Sequence, residues 1–471
     1  MKIIGIIAEY NPFHNGHAYQ IEEIRRRTGA DYIVAAMSGD FVQRGAPAVV
    51  DKYARARMAL SCGADLVLEL PVLWATASAE SFAAAGVALF EKMGCVDGIC
   101  FGAECDNLSL LSEIADILAE EPSAYRAALS SYIKEGLTFP QARARALTEV
   151  LANSGQTSQE NISASEDALT QPASLTHSEL TEILGSPNNI LAIEYLKAIR
   201  RQDSSLTPYL IKREGAGYHD AEIHDDSYIF QDNTDACHHP TNIGIPVAVP
   251  SPALIPVSAP AASATAIRGA LSAATSASLS AKLAAAMPAP ALSVLTDYLS
   301  ETPAVWSDDF SPILGYLLLS VTPEELALCG DCNTDIANRL FKNRFSYRSV
   351  SQFCEQNKSR DITYTRMSRI LLHLLLRIRN TDYAAGKAQG YIPYLRILGF
   401  CMDSSALLGE LKRRAAVPVI SKLADAKKML VEDAASLLDL DIFAADLYEQ
   451  IASQKKGTTP RSEYTREIVR I

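Results

Sequence analysis

At 471 residues the chain is too long for one typical hydrophobic core, so two or three structural units are expected. The hydrophobic share of 48% is that of a globular protein, and no apolar run approaches the roughly 20 residues that span a bilayer, so no membrane partner is read. A formal charge of −12 excludes a protein that coats nucleic acid over its whole surface, but it leaves room for a local basic patch.

The opening MKIIGIIAEYNPF has a lysine and an apolar stretch, but Glu9 and Asn11 follow at once without a small-residue cleavage site, so it is not read as a signal peptide. Residues 2–8, KIIGIIA, are short, apolar and isoleucine-rich, which reads as a buried strand. Ala18 to Arg27 reads as a helix, Asp31 to Gly39 as a second strand, and Asp51 to Cys62 as a helix. Ala64 to Pro71 is a third strand stopped by proline, Ser78 to Met93 a helix and Val96 to Glu104 a fourth strand. Strands and helices alternating at this spacing predict a parallel sheet with right-handed crossovers, whose ligands sit at the carboxyl ends of the strands. The unusual loops AEYNPFHNGH, SGDFVQRG, ELP and FGAE all fall at those ends.

Residues 107–150 look helical, whereas 152–180 are rich in Ser, Thr, Gln and Asn and nearly free of large apolars, the composition of a flexible insertion. Ser186 to Ile199 starts a helix after Ser-Pro, and Leu206 to Asp220 reads as a strand followed by a loop. Residues 224–262 look inserted as well, and Ser263 to Leu271 is a loop entering a helix. From about 285 to 471 the pattern is mostly helical and looks like a second domain. Nine cysteines without regular spacing read as reduced thiols of a cytoplasmic protein. Cys329 and Cys332 have redox or zinc spacing but no second pair near them, and are read as incidental, as is Cys237 beside two histidines in the second insertion.

A strand, a tight glycine turn and then a helix is a place for phosphate, because the helix start offers unpaired N–H groups and a positive dipole end. His14 and His17 flank Gly16 there, adding donors beside a residue that permits close approach. The competing reading is two histidines that merely cap a helix. Neither Gly-x-x-x-x-Gly-Lys-Ser/Thr nor Gly-x-Gly-x-x-Gly occurs at this turn. A His-x-Gly-His in this position resembles the signature of the nucleotidyltransferase superfamily, shared with class I aminoacyl-tRNA synthetases and pantothenate synthetase, which cleave ATP between the α- and β-phosphates. SATAIR resembles that superfamily's second phosphate signature and would place Ser263, Thr265 and Arg268 on the phosphates.

The strings GIIAEYNPFHNGHAYQ, SGDFVQRG, PNNILAIEYLKAI, IKREGAGYHD, SATAIR and TYTRMSRILLHLLL occur in order, and together they resemble the bacterial tRNA(Met) cytidine acetate ligase family from Met1 to about Gly399. The resemblance implies an α/β fold, a Rossmann-like nucleotidyltransferase parallel sheet with a mostly helical C-terminal domain. It divides the chain into an ATP-binding catalytic domain over 1–284, interrupted by the insertions at about 152–180 and 224–262, and a helical, partly basic tRNA-binding domain over 285–471. Two steps are implied: acetate attacks the α-phosphate of ATP to give acetyl-adenylate and pyrophosphate, then N4 of the wobble cytidine of elongator tRNA(Met) takes the acetyl group and AMP leaves. Carried onto this chain, the catalytic residues are His14, His17 and Arg268. The ATP site covers Ile7, Ala8, Glu9, Tyr10, Asn11, Pro12, Phe13, His14, Asn15, Gly16, His17, Ala18, Tyr19 and Gln20. Gly102, Asn188 and Arg213 complete it with Ser263 and Thr265; Asn189 competes with Asn188, and a helix cap explains either asparagine equally well. Asp40 and Arg44 either hold a loop over the site or form a plain turn, and Lys52 either reaches a phosphate or does nothing. Mg2+ on the phosphates fits this chemistry, but no carboxylate cluster marks a metal site.

From Arg339 to Arg379 there are ten Lys/Arg against two acids, Glu355 and Asp361. A solvated helix face is one reading; a surface for RNA phosphates is the other. Lys358, Arg360, Arg366, Arg369 and Arg377 are the candidate nucleic-acid contacts, with Tyr364 able to stack on an unpaired base. A small-molecule nucleotidyltransferase and a non-catalytic nucleotide- or RNA-binding protein are the alternatives.

Overall fold

The computed structural model describes residues 1–157, 177–213, 263–273 and 276–471. Its centre is an eight-stranded sheet made of β1 (Ile3–Ala8), β2 (Tyr32–Ser38), β3 (Leu66–Leu70), β4 (Gly98–Ala103), β5 (Thr207–Lys212), β6 (Leu395–Phe400), β7 (Val419–Ile420) and β8 (Val469–Arg470). The strand order is β8-β6-β3-β2-β1-β4-β5, with β7 also on β6. All pairs are parallel except β3 with β6. Helices α1 (Asn15–Thr28), α2 (Lys52–Ser61), α3 (Ala79–Met93), α4 (Pro187–Arg201), α5 (Ala264–Ala273) and α6 (Tyr364–Leu376) are the ones that shape the site.

The period of two in β1 sorts its isoleucines between two cores. Ile4 and Ile6 enter the layer with α1 and α2, whereas Ile3 and Ile7 meet α3 and α4 on the other face. The second layer is tight: a Cβ on Gly5 would lie 2.6 Å from the Phe90 ring of α3. A third core, including Leu314, Ile336, Leu340, Phe353, Met367 and Leu371, belongs to the helical region that contains α6. The hairpin Phe41–Val42/Ala46–Pro47 leans on that region: Gly45, at φ +75°, accepts a hydrogen bond from the Ser368 hydroxyl at 2.8 Å.

The region beyond 285 is mostly helical, as expected, and within it Leu395–Phe400 returns to the sheet and pairs with β3, which would otherwise be an unpaired edge. The insertion expected at 152–180 is narrower, since helices Phe139–Thr157 and His177–Gly185 reach into it from both sides and Leu180 and Leu184 bury against the first core. The rest of that segment, and the one at 224–262 with Cys237, lie outside the described residues. The remaining eight cysteines are all unpaired, and Cys329 and Cys332 pack in the third core.

The returning segment also closes a buried ion network. Lys52, 1% exposed, lies 2.8 Å from Glu69, 2.7 Å from Glu463 and 3.7 Å from Asp40. Arg396 on β6 pairs with the other oxygen of Glu69 at 2.8 Å and with Glu463. Burial works against the Glu463 carboxylate, but the Lys52 and Arg396 charges outweigh it and hold it at about 2. Lys52 is therefore a counter-ion to carboxylates and not a phosphate ligand. Asp40, which also accepts from the Lys52 N–H at 2.8 Å, faces the same network. Replacing Lys52 with Met leaves Glu69 and Glu463 to share Arg396, with one buried negative charge uncompensated, and urea denaturation is expected to show a loss of about 3–5 kcal/mol; a loss under about 1 kcal/mol would show that the network contributes nothing to stability.

Candidate active site

Read from the sheet order, the chain moves to one side of β1 through β2 and β3 and then crosses to the other through β4 and β5. The carboxyl ends of β1 and β4 therefore flank the switch point, where a crevice must open. Arg55 of α2 builds one wall. Its guanidinium is fully buried and donates to the carbonyls of Glu9 at 2.7 Å, Ser38 at 3.1 Å, Val50 at 3.1 Å and Gly39. The ends of β1 and β2 are thereby fixed to each other. Beyond Glu9 the backbone turns through Tyr10 at φ +48°, and the Asn11 side chain accepts from the Val49 N–H at 2.9 Å.

The two histidines cap α1 and also line the crevice. His14 is the N-cap of α1, its Nδ1 accepting from the Gly16 N–H at 3.1 Å, and the Nδ1 of His17 accepts from the His14 N–H at 3.2 Å. The rings stack with centroids 3.6 Å apart, and both line the crevice. Burial, together with the Arg213 and Arg268 charges, pushes His14 down to about 3. Burial, then its stacked neighbour and Arg213, pushes His17 well below the ordinary value. Both rings are therefore neutral near pH 7, and with each Nδ1 accepting, the proton sits on Nε2. That leaves each imidazole one donor for an anion and no net charge.

The opposite wall supplies charge. Ser263 caps α5, its hydroxyl accepting from the Ala266 N–H at 3.1 Å, so a second helix start faces the first across the crevice. Arg268 donates to the Asn11 carbonyl at 2.8 Å and to the Thr265 hydroxyl at 3.1 Å. Arg213 leaves the end of β5 over Gly102, where an added Cβ would lie 3.2 Å from its side chain. The two asparagines part in their placement. Asn189 turns its Oδ1 to the N–H groups of Glu104 and Cys105, both at 2.9 Å, and so builds the loop after β4. Asn188 lines the crevice and donates to Glu104 at 2.6 Å.

The crevice encloses about 1030 Å³ including its open mouth. Of the candidate site residues, Ile7, Ala8, Glu9, Tyr10, Asn11, His14, His17, Gln20, Gly102, Asn188, Arg213, Ser263, Thr265 and Arg268 line it. Pro12, Phe13, Asn15, Gly16, Ala18 and Tyr19 are not on its wall; they serve the turn and the core. Phe13 is wholly buried with its ring 5.3 Å from that of His17, and Asn15 donates to the Ala285 carbonyl at 2.8 Å. Phe82, Phe101, Leu191, Tyr195 and Gln43 were not foreseen, while Arg44 does reach the wall. Leu191 and Tyr195 lie three and seven positions after Asn188 on α4, so following the helical period from that asparagine finds them. No three His, Cys, Asp or Glu side chains converge to hold a metal among the described residues. A Mg2+ ion would thus fit only as a companion of bound phosphates.

The basic helix divides. Arg369 is drawn inward to Asp331, 2.5 Å away, and Arg366 donates to the Asp331 carbonyl at 3.1 Å. Both brace the Cys329–Cys332 turn against α6. Lys358, paired with Glu355, and Arg360 are exposed, as is Arg377 at the helix end, 5.8 Å from the Phe443 ring. No described helix is long and apolar enough to cross a membrane.

A family model described as HIGH Nucleotidyl Transferase matches residues 1–230 and 255–463. A tRNA(Met) cytidine acetate ligase of Acetivibrio thermocellus is 34% identical over 470 residues, covering 100% of both chains. Its counterpart from Caldanaerobacter subterraneus subsp. tengcongensis is 37% identical over 449 residues, 95% of each chain. Among solved structures, Thermotoga maritima TmcAL superposes with a TM-score of 0.82 in its apo form and 0.80 in a form bound with alpha-thio ATP, at 25% identity and full coverage of both chains. The chain belongs to the HIGH nucleotidyltransferase family and, within it, to the tRNA(Met) cytidine acetate ligases.

Proposed function

We propose that this protein activates acetate with ATP and transfers the acetyl group to N4 of the wobble cytidine of elongator tRNA(Met), giving N4-acetylcytidine, AMP and pyrophosphate, and that it does so in the cytoplasm. The observation that carries the reading is the convergence, at the sheet's switch point, of two helix starts, two neutral imidazoles and Arg268 and Arg213. In the first step an acetate oxygen attacks the α-phosphorus and the bond to the β-phosphate oxygen breaks. Charge then grows on the departing pyrophosphate, where the Nε2–H groups and guanidinium groups stabilise it more than they stabilise bound ATP. Because Arg55 and the paired caps hold these donors in advance, little rearrangement is needed as the charge develops. In the second step the cytidine N4 attacks the acetyl carbon, AMP leaves with the former acetate oxygen, and N4 gives up one proton.

Under this reading residues 1–284 carry the ATP chemistry and 285–471 the tRNA contacts. The exposed cations Lys358, Arg360 and Arg377 are the RNA-facing part of the latter, and Arg366 and Arg369 support them through Asp331.

His17→Ala is expected to slow acetate-dependent exchange of pyrophosphate into ATP by roughly 10²-fold or more, with tRNA affinity nearly unchanged; unaltered exchange would remove His17 from the mechanism. In the free protein the Cε1–H resonances of His14 and His17 should stay fixed between about pH 5 and 8, because a lowered pKa keeps the rings neutral throughout; a titration near 6.5 in either ring would contradict the charge-neutral arrangement. Charge reversal at Lys358 and Arg360 together is expected to raise the KM for tRNA while sparing the exchange reaction, and the opposite pattern would remove this surface from RNA binding.

A further inference from the structure

We propose that Phe345 and Arg344 form a stacking platform for an unpaired base of the RNA substrate, an inference that rests on the tRNA reading above. Phe345 is 78% exposed, more than any other large hydrophobic side chain among the described residues. A single exposed apolar residue is ordinary; its surroundings here are not. The Arg344 guanidinium lies 3.6 Å from the Phe341 ring centroid and 4.4 Å from that of Phe345, so a planar cation occupies one side of the phenyl ring and leaves the other to solvent. The surrounding stretch NRLFKNRFSYR, residues 338–348, carries four cations and no acid. Of these, Arg339, Lys342 and Arg348 are exposed.

The turn that presents the ring is fixed from beneath. Tyr347 donates to the Ser311 carbonyl at 3.0 Å, and its ring meets Phe353 edge-on at 5.2 Å. Asn343 donates to Asn357 at 2.8 Å, and Gln356 to the Ser346 hydroxyl at 2.7 Å. An apolar ring carried on a turn anchored in this way loses less backbone freedom on contact than one on a free loop. With cations around it to take phosphates, its open face suits the π-face of a splayed-out base, whatever that base is.

The test is tRNA binding by fluorescence anisotropy over a range of salt, with sedimentation of the free protein alongside. Phe345→Ala is expected to weaken tRNA binding roughly 5- to 150-fold, with Phe345→Trp restoring it. The slope of log K against log salt should stay as in the parent, because no phosphate contact is lost; Arg348→Gln should lower that slope by about one. A fully paired RNA duplex should bind the parent and Phe345→Ala alike. Unchanged tRNA affinity in Phe345→Ala, an equal loss on the duplex, or a sedimentation change showing that a second copy of the chain covers the ring would each overturn the platform, as would a parent protein that binds no tRNA. Acetate-dependent pyrophosphate exchange by the parent is read separately: its absence would remove the proposed chemistry while leaving the binding comparison intact.

Discussion

A single buried guanidinium sets the geometry of the crevice. Among the described residues Arg55 has no carboxylate partner at bonding distance; it is satisfied by four carbonyls that belong to the ends of two neighbouring strands and to the approach to its own helix. Carbonyls at strand ends are groups that the sheet ladder no longer pairs, and burying them unmet is costly. Meeting all four with one rigid, planar donor set satisfies that requirement and also fixes the distance between the β1 and β2 loops. The histidines, Asn11 and, through Asn11, Arg268 are all placed relative to that junction.

Charge is handled differently inside and outside the crevice. Behind the wall, Lys52, Arg396, Glu69 and Glu463 neutralise one another where water is excluded. On the wall, the imidazoles are kept neutral by burial and by the arginines beside them, so the positive field comes from Arg213, Arg268 and the two helix starts. A site made this way attracts a polyanion without storing many desolvated cations when empty. The aromatic flank of Phe82, Phe101 and Tyr195 gives the crevice one dry side.

Much of this was readable in the residues, and the parts that were not share a physical cause. The alternating strands and helices of the first hundred residues appear where their periods put them, and three of the four loops singled out at strand ends meet at one crevice, whereas ELP does not: its Glu69 turns into the buried ion network. His14 and His17 were read as either cap or ligand, and a local pattern has no means of showing that rings which cap α1 also line the crevice. Lys52 was read as either reaching a phosphate or doing nothing, and its role as a counter-ion was hidden because Glu463 lies far along the chain and Glu69 on β3. LRILGF was absorbed into a helical region because six residues are too few to reveal a period when a neighbouring edge decides their fate. Arg366 and Arg369 sit on a charged stripe, and only the turn at Asp331 shows that two of its members face inward.

The hydrogen bond between Tyr53 and Glu463 joins positions 410 apart. Translation delivers the first of them long before the second. While the nascent chain lengthens, the ammonium group behind the crevice wall awaits its distant counter-ion, and the region that is made first is finished by residues made late. Assembly of the crevice is in this way conditional on the arrival of the part that follows α6, which disfavours an early-folding, uncoupled N-terminal fragment.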